Sequence, residues 1–340
     1  MTRKESTFKY KSEKIDDKDI NFYYGIPHCH TFLSNGRGSP IEALEYGYKN
    51  SLDFMFITDH NSYLKEDIDY KSSKVSKWTY LKSCLKKYNK KHNRPLTLLG
   101  FESRSNPWGD LNFINISTYF TGVVKDLRVL LLWMLNNQEG LIFINHPHSP
   151  IERLPYNAYL NYFITSVEVG NGSPPHKYIR HHKHYFKLLD NGWKLGAING
   201  QDNHRLNFGD TDNLTCVICN ELNHSSLVDS IRCRRTYSTE SRTLKAYFSM
   251  NGYFMGEVIS QPNLDELKFY IFLQDPKYKI KKVEIISNNG TVVKTLNDLN
   301  LNTVKYFINL PVNPGNTWYL LEVYQEEDKI AITSPIFFEY

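Results

Sequence analysis

The 340-residue chain has little cysteine: five residues, an odd number, scattered as Cys29, Cys84, Cys216, Cys219 and Cys233. A dispersed odd set excludes a disulfide framework. Cys216 and Cys219 have redox-motif spacing, but they sit in a strand-like run. Residues three apart on a strand face opposite sides, so both read as buried hydrophobes. No stretch of 18 apolar residues occurs, so no transmembrane helix is expected. The start, Met-Thr-Arg-Lys-Glu-Ser, has no apolar signal core, and the expected location is cytoplasmic. An excess of one charge is missing too. The 41 basic and 36 acidic residues are interspersed, giving a net charge of +5. That composition suits mild attraction to anions; it points neither to nucleic acid nor to a membrane as partner. Internal repeats and low-complexity tracts are absent.

What is present is apolar and aromatic: 41% hydrophobic residues, 14% aromatic, enough for a sizeable core in two domains. Residues 1–20 are rich in Lys, Asp, Glu and Ser without periodicity and read as a mobile lead-in. Ser39-Pro40-Ile41-Glu42 reads as a helix start, with Ser39 as cap and Glu42 closing a capping box. Continuous apolar runs of strand length follow at 53–58, 96–101, 141–144, 165–169 and 195–198. Between them, helical spacing occurs at 75–88, 129–135 and 176–190. The lysines of the first of these helices read as a solvated face. This alternation predicts a parallel α/β architecture, barrel before open sheet, over residues 1–244. From 245 to 340 the grammar changes to short strands without helices. Asn289-Gly290 and Glu326-Glu327-Asp328 mark hairpin tips, and a small antiparallel, Ig-like β-sandwich is expected.

Each apolar run in the first part ends in a metal-type residue. Side chains alternate along extended backbone, so His28 and His30 share a face while Cys29 takes the other. Barrel strands converge at their carboxyl ends, which would gather His28, His30, His60, Glu102, His146, Glu168, Asp202 and His204 on one rim. Eight nitrogen or oxygen ligands exceed the three or four that one catalytic zinc needs. Two or three divalent ions are the natural reading, with Glu102 able to bridge two of them. Asp59 is placed to fix imidazole tautomers. Asp202 or His204 could shuttle a proton. Arg37, Arg104 and Arg153 are candidate contacts to an anionic substrate. His176, His181, His182 and His184 read as a solvated helix face.

Taken together, His28-Cys-His30-Thr, Thr58-Asp-His60, Gly100-Phe-Glu102, Asn145-His146-Pro and Asp202-Asn-His204 resemble the successive motifs of the PHP superfamily, named for polymerase and histidinol phosphatase. The resemblance extends through Val167-Glu168-Val169 and Arg234-Arg235-Thr236-Tyr237. At the tail, Ala331-Ile-Thr-Ser-Pro335-Ile resembles the closing strand of the CehA/McbA-type branch. It implies a distorted (β/α)7 TIM-like barrel with a trinuclear site of zinc, manganese or iron. The family pattern would give His28, His30, Glu102 and Asp202 to the first metal. His60 and His204 would hold the second, and Glu102, His146 and Glu168 the third. The branch usually carries Ser-Asp-Gly after the His-x-His, its aspartate on the second metal. Here Asn35 stands at that position as the candidate ligand: its amide oxygen can still coordinate the metal, but a unit charge is lost from beside a dication.

The implied activity is hydrolysis of a small, anionic phosphomonoester or phosphodiester. The branch also implies an alternative, hydrolysis of a carbamate, carboxyl ester or amide. A third reading makes Asn35 the mark of a decayed site in a non-catalytic metal-binding or interaction protein.

Overall fold

The computed structural model describes residues 20–260 and 262–340, so the expected lead-in lies almost wholly outside the described residues. The sequence opens the fold with a long strand, Asn21–Cys29, whose exposed start becomes fully buried from Gly25 onward. It pairs in parallel with Phe54–Ile57, an all-apolar run buried along its whole length. Isolated parallel bridges, Phe54 to Leu96, Ile57 to Leu99 and His60 to Glu102, carry the sheet to Gly100–Ser103. From there the ladder passes through Leu111–Ile114, Leu141–Ile144, Ile164–Asn171 and Gly196–Gly200. A further parallel bridge, Cys29 to Asn203, returns to the first strand. Two sheets thus curl toward each other and meet at both seams.

Side chains inside the curl are Phe54, Phe56, Leu98, Ile114, Leu141, Phe143 and Ile198. They form one apolar cluster with Leu227, Val228 and Ile231 of the helix His224–Arg232. Above this layer the strands end in polar residues, because strand termini leave the apolar interior. That layer positions the site.

Two local expectations hold closely. The helix Pro40–Lys49 has Ser39 as its cap and a complete Ser39–Glu42 capping box. Turns at Asn288–Gly290 and Glu326–Asp328 join successive strands as the hairpin signals require. Others change. Leu111–Ile114 is antiparallel to both its neighbours, so the sheet is mixed rather than wholly parallel. The helix expected from residue 176 begins only at His182. Ile179–Arg180 instead pairs antiparallel with Gly170 and Asn171, and paired backbone cannot be helical.

The C-terminal strands build a four-stranded antiparallel sheet that includes Lys245–Met250, Glu266–Gln274 and Thr303–Pro311. Phe248, Phe269, Ile271 and Leu273 from it share a core with Val283, Tyr319, Leu321 and Val323 of the facing strands. Those facing strands continue the first sheet. Thr236–Thr239 pairs on one side with Leu214–Cys219 and on the other with Ile330–Thr333. The sheet therefore runs unbroken past the expected boundary at residue 244.

Candidate metal centre

The first strand sets the site. His28 and His30 are both fully buried and point the same way, with Nε2 atoms 3.1 Å apart. The loop after Gly196–Gly200 is laced to this strand by backbone hydrogen bonds, Asp202 N to His28 O at 3.0 Å and His30 N to Asn203 O at 2.9 Å. That brings Asp202 Oδ1 to 3.3 Å from His28 Nε2 and 3.0 Å from His30 Nε2. Glu102, also buried, reaches four imidazoles. Oε1 lies 3.4 Å from His28 Nε2 and 3.5 Å from His146 Nε2, and Oε2 lies 3.6 Å from His30 Nε2 and 2.7 Å from His60 Nδ1. His204 joins from the rim, its ring 4.5 Å from that of His30. His146 and Asp202 both hold positive φ, 24° and 49°. A non-glycine residue adopts that region at a cost, and such cost is concentrated where a side chain must be aimed.

The ligand atoms gather into three overlapping groups: His28, His30 and Asp202; His28, Glu102 and His146; and His30, His60 and His204. Each spans under 4.8 Å. Nδ1 of His30 and of His60 are buried without a hydrogen-bond partner among the described residues. The 2.7 Å approach of His60 Nδ1 to Glu102 is close but poorly directed for a hydrogen bond. Buried imidazole nitrogens left unmet beside ionised carboxylates are what a divalent ion satisfies, and the donor set fits one.

The electrostatics agree. Burial opposes charge on His28, yet Glu168, Asp202 and Glu102 outweigh it and hold the ring up to about 10. Burial likewise opposes charge on His146, and Glu102 lifts it to about 9. Glu102 itself resists its burial because His28, His146 and His60 hold it well below the carboxylate range. Asp202 is lowered in the same way, by His28 and His30 against burial. His60 and His204 go the other way: burial lowers both.

Glu168 does not face the ligand groups. Its Oε1 meets His28 Nδ1 at 2.8 Å, and its Oε2 accepts from His146 N at 2.6 Å and Asn171 Nδ2 at 2.7 Å. It is the group that fixes the His28 tautomer, the part expected of Asp59. Asp59 instead accepts from Thr31 N, Thr31 Oγ1 and Ser34 Oγ, ordering the turn after His30. Asn35 stands exposed on that turn, with Ser34 Oγ as its side-chain hydrogen-bond partner. No hydrogen bond joins it to the cluster among the described residues. Arg37, Arg104 and Arg153 are all exposed. Of these, Arg104 is near enough for its charge to depress His60.

Sequence reasoning missed three neighbours. Asn145 Nδ2 donates to Glu102 Oε1 at 2.8 Å, a role legible only as the Asn before the His146-Pro pair. Asn171 braces Glu168. His176, read as solvated helix, lies exposed on a loop with its ring 5.9 Å from that of His204.

No protein-family model and no curated protein matches the chain. Solved structures do. A two-domain protein from Bacteroides vulgatus ATCC 8482, described as containing a predicted PHP-like metal-dependent phosphoesterase, aligns over 94% of both chains. Its identity is 15% and its TM-score 0.51. The two chains share a fold. At that identity the likeness is one of fold alone. PsfC from Pseudomonas syringae PB-5123 covers 64% of this chain and 90% of its own, at 14% identity and TM-score 0.44. A candidate metal-dependent phosphoesterase from Bifidobacterium adolescentis covers 62% and 95%, at 13% and 0.34. Neither of these two is close enough to bear on the fold. Among the described residues, no helix is long and apolar enough to cross a membrane.

Proposed function

We propose that the chain is a metal-dependent phosphoesterase that hydrolyses a small phosphomonoester or phosphodiester. The observation that carries this reading is the overlap of the three ligand groups, in which His28 and His30 each serve two. Two or three divalent ions, zinc, manganese or iron, fit such a set. His28, His30, Asp202 and Glu102 would hold one, Glu102 with His146 another, and His60 with His204 a third beside His30. Bound ions of this kind acidify water and neutralise charge developing on phosphoryl oxygens.

The chain's own groups do the rest. Glu168 accepts from His28 Nδ1, so that Nε2 presents its lone pair to the cluster. His204 Nδ1 faces the Asp202 carbonyl at 2.9 Å, and since a carbonyl only accepts, Nδ1 carries the proton. Its Nε2 is thereby the nitrogen with a lone pair to offer an ion, and burial, which lowers the ring's pKa, keeps that lone pair free of a proton. Asp202, kept ionised, is an acceptor and not the acid. Arg104 is the cation best placed to meet the anionic part of a substrate.

The reading goes with a (β/α)7-type unit over 1–244, an Ig-like sandwich over 245–340 and membership of the CehA/McbA-type branch. Five free cysteines support a reducing, cytoplasmic setting. The test is a panel of phosphomonoesters and phosphodiesters assayed with the manganese, zinc and iron forms. Turnover of at least one phosphate ester above the metal-free control is the expected result. Turnover of aryl carbamates or carboxyl esters alone would move the chain to the other hydrolase class. Turnover of nothing by a fully loaded protein would overturn the enzyme reading.

A further inference from the structure

Asn112 is fully buried, and neither its amide nitrogen nor its carbonyl oxygen has a partner among the described residues. It lies in the strand Leu111–Ile114, directly opposite Glu102 in the antiparallel ladder. Residues opposite one another in such a ladder project to the same face, with Cβ atoms about 4.5–5.5 Å apart. The neighbouring pair, Phe101 and Phe113, stacks at 4.9 Å on the other face, among Phe120 and Trp133. Asn112 and Glu102 therefore both project inward. On its second flank Asn112 opposes Phe143, two residues before Asn145. Asn145 spends its Nδ2 on Glu102 Oε1, and its own Oδ1 is buried and unmet. Below, the interior is apolar, with Ile114, Leu141 and Phe143 in one cluster. Asn112 is thus the polar residue where the apolar filling of the curl gives way to the ligand layer.

A carboxamide buried with both ends unmet costs the fold more than a hydrocarbon of the same shape. Leu at this position would continue the apolar layer beneath it. The retained amide has to be explained by something other than folding.

We propose that Asn112 is a positioning residue for Glu102: its carboxamide and the free carbonyl of Asn145 share one buried water beneath the carboxylate, and this polar floor holds Glu102 in the orientation its four imidazoles need. Buried waters typically make about three hydrogen bonds to groups left unmet by the protein, and three unmet atoms belong to two residues on adjoining paired strands here. Groups that orient ligands are typically worth about 10–100-fold in metal affinity. The inference rests on the metal-centre reading above.

The experiment compares full-length wild type, Asn112→Leu and Asn112→Ser, each metal-free and titrated with manganese and with zinc by calorimetry, with thermal unfolding of the metal-free forms. Asn112→Leu should bind metal about tenfold more weakly or worse. Its metal-free form should melt no lower than wild type, because hydrocarbon of similar size replaces the amide and its water and continues the apolar layer beneath. Asn112→Ser keeps a donor, an acceptor and room for water, and should recover affinity to within about threefold of wild type. An Asn112→Leu protein that binds as tightly as wild type overturns the proposal and leaves the metal-centre reading intact. So does one that melts lower than wild type or fails to fold, since Asn112 is then part of the packing. Wild type that binds neither metal overturns both.

Discussion

At the scale of single residues, the centre is a charge problem that a cation solves. Glu102 touches four imidazoles, and two of them, His28 and His146, are held protonated near neutral pH at about 10 and about 9. A ligand nitrogen must shed its proton to bind metal, so loading should release about two protons per chain at pH 7. Calorimetry in two buffers of different ionisation enthalpy measures this directly; no release would contradict the protonation pattern. The sign for stability follows from the same values. Both rings have folded pKa values raised above the unfolded value of about 6.5, so their contribution is fully present below about pH 6.5. It is lost as pH rises through about 9 to 10. The metal-free protein should therefore lose stability on the alkaline side while metal affinity rises over the same span. Glu102→Ala removes the shared carboxylate and should abolish turnover, with bound metal falling by at least one ion per chain in elemental analysis. A variant that retains its full metal complement would show that Glu102 is not the hub.

At the scale of elements, two substitutions separate local from long-range causes. Ser39 caps Pro40–Lys49 by accepting from Glu42 N while Glu42 reaches back to Ser39 N. Ser39→Ala should cost about 1 kcal/mol in urea unfolding, with metal content unchanged. Gly25 is a different case. It lies where the first strand crosses Phe54, and a Cβ there would stand 2.1 Å from the Phe54 carbonyl oxygen. That atom is backbone, so it cannot swing aside, and the parallel pairing that aims His28 and His30 depends on it. Gly25→Ala should lower the melting temperature by far more than Gly122→Ala, where a Cβ meets nothing within 4 Å. Equal melting temperatures for the two variants would show that the first strand tolerates displacement.

For the molecule as a whole, the decisive feature is the sheet that crosses residue 244. Tyr237, Cys216 and Ile218 bury their side chains in the core of the C-terminal strands. Tyr185, Leu188 and Trp193 share a core with Trp318, Leu320 and Phe337. A chain ending at 244 would expose both surfaces and leave Thr236–Thr239 as an open edge. Such a fragment should show no cooperative thermal transition by circular dichroism and should aggregate. A fragment that melts cooperatively and binds metal would show that the ligand-bearing part folds alone.

The sequence by itself determined the candidate ligand types and the short-range structure. His28 and His30 share a face because backbone alternation is local, and Ser39 caps because its partner is three residues away. The hairpin at Asn288–Gly290 is equally short-range, its Asn289 holding a φ of 60°. Only the tertiary structure decided how the ligand candidates divide. Glu168 and His28 are 140 positions apart, and whether that carboxylate faces the cluster or stands behind an imidazole depends on how the curl closes. Asp59, one residue before His60, is likewise turned to the Thr31–Ser34 turn by hydrogen bonds that its neighbours in sequence cannot announce. The strand Leu111–Ile114 was illegible because four residues with one Asn carry no usable period, and its direction is set by a hairpin. His176 was misread for a related reason. Histidine spacing mimics a helix, but pairing of the next residues with Gly170 and Asn171 competes for the same backbone and prevails, because a hydrogen-bonded edge outweighs weak helical propensity.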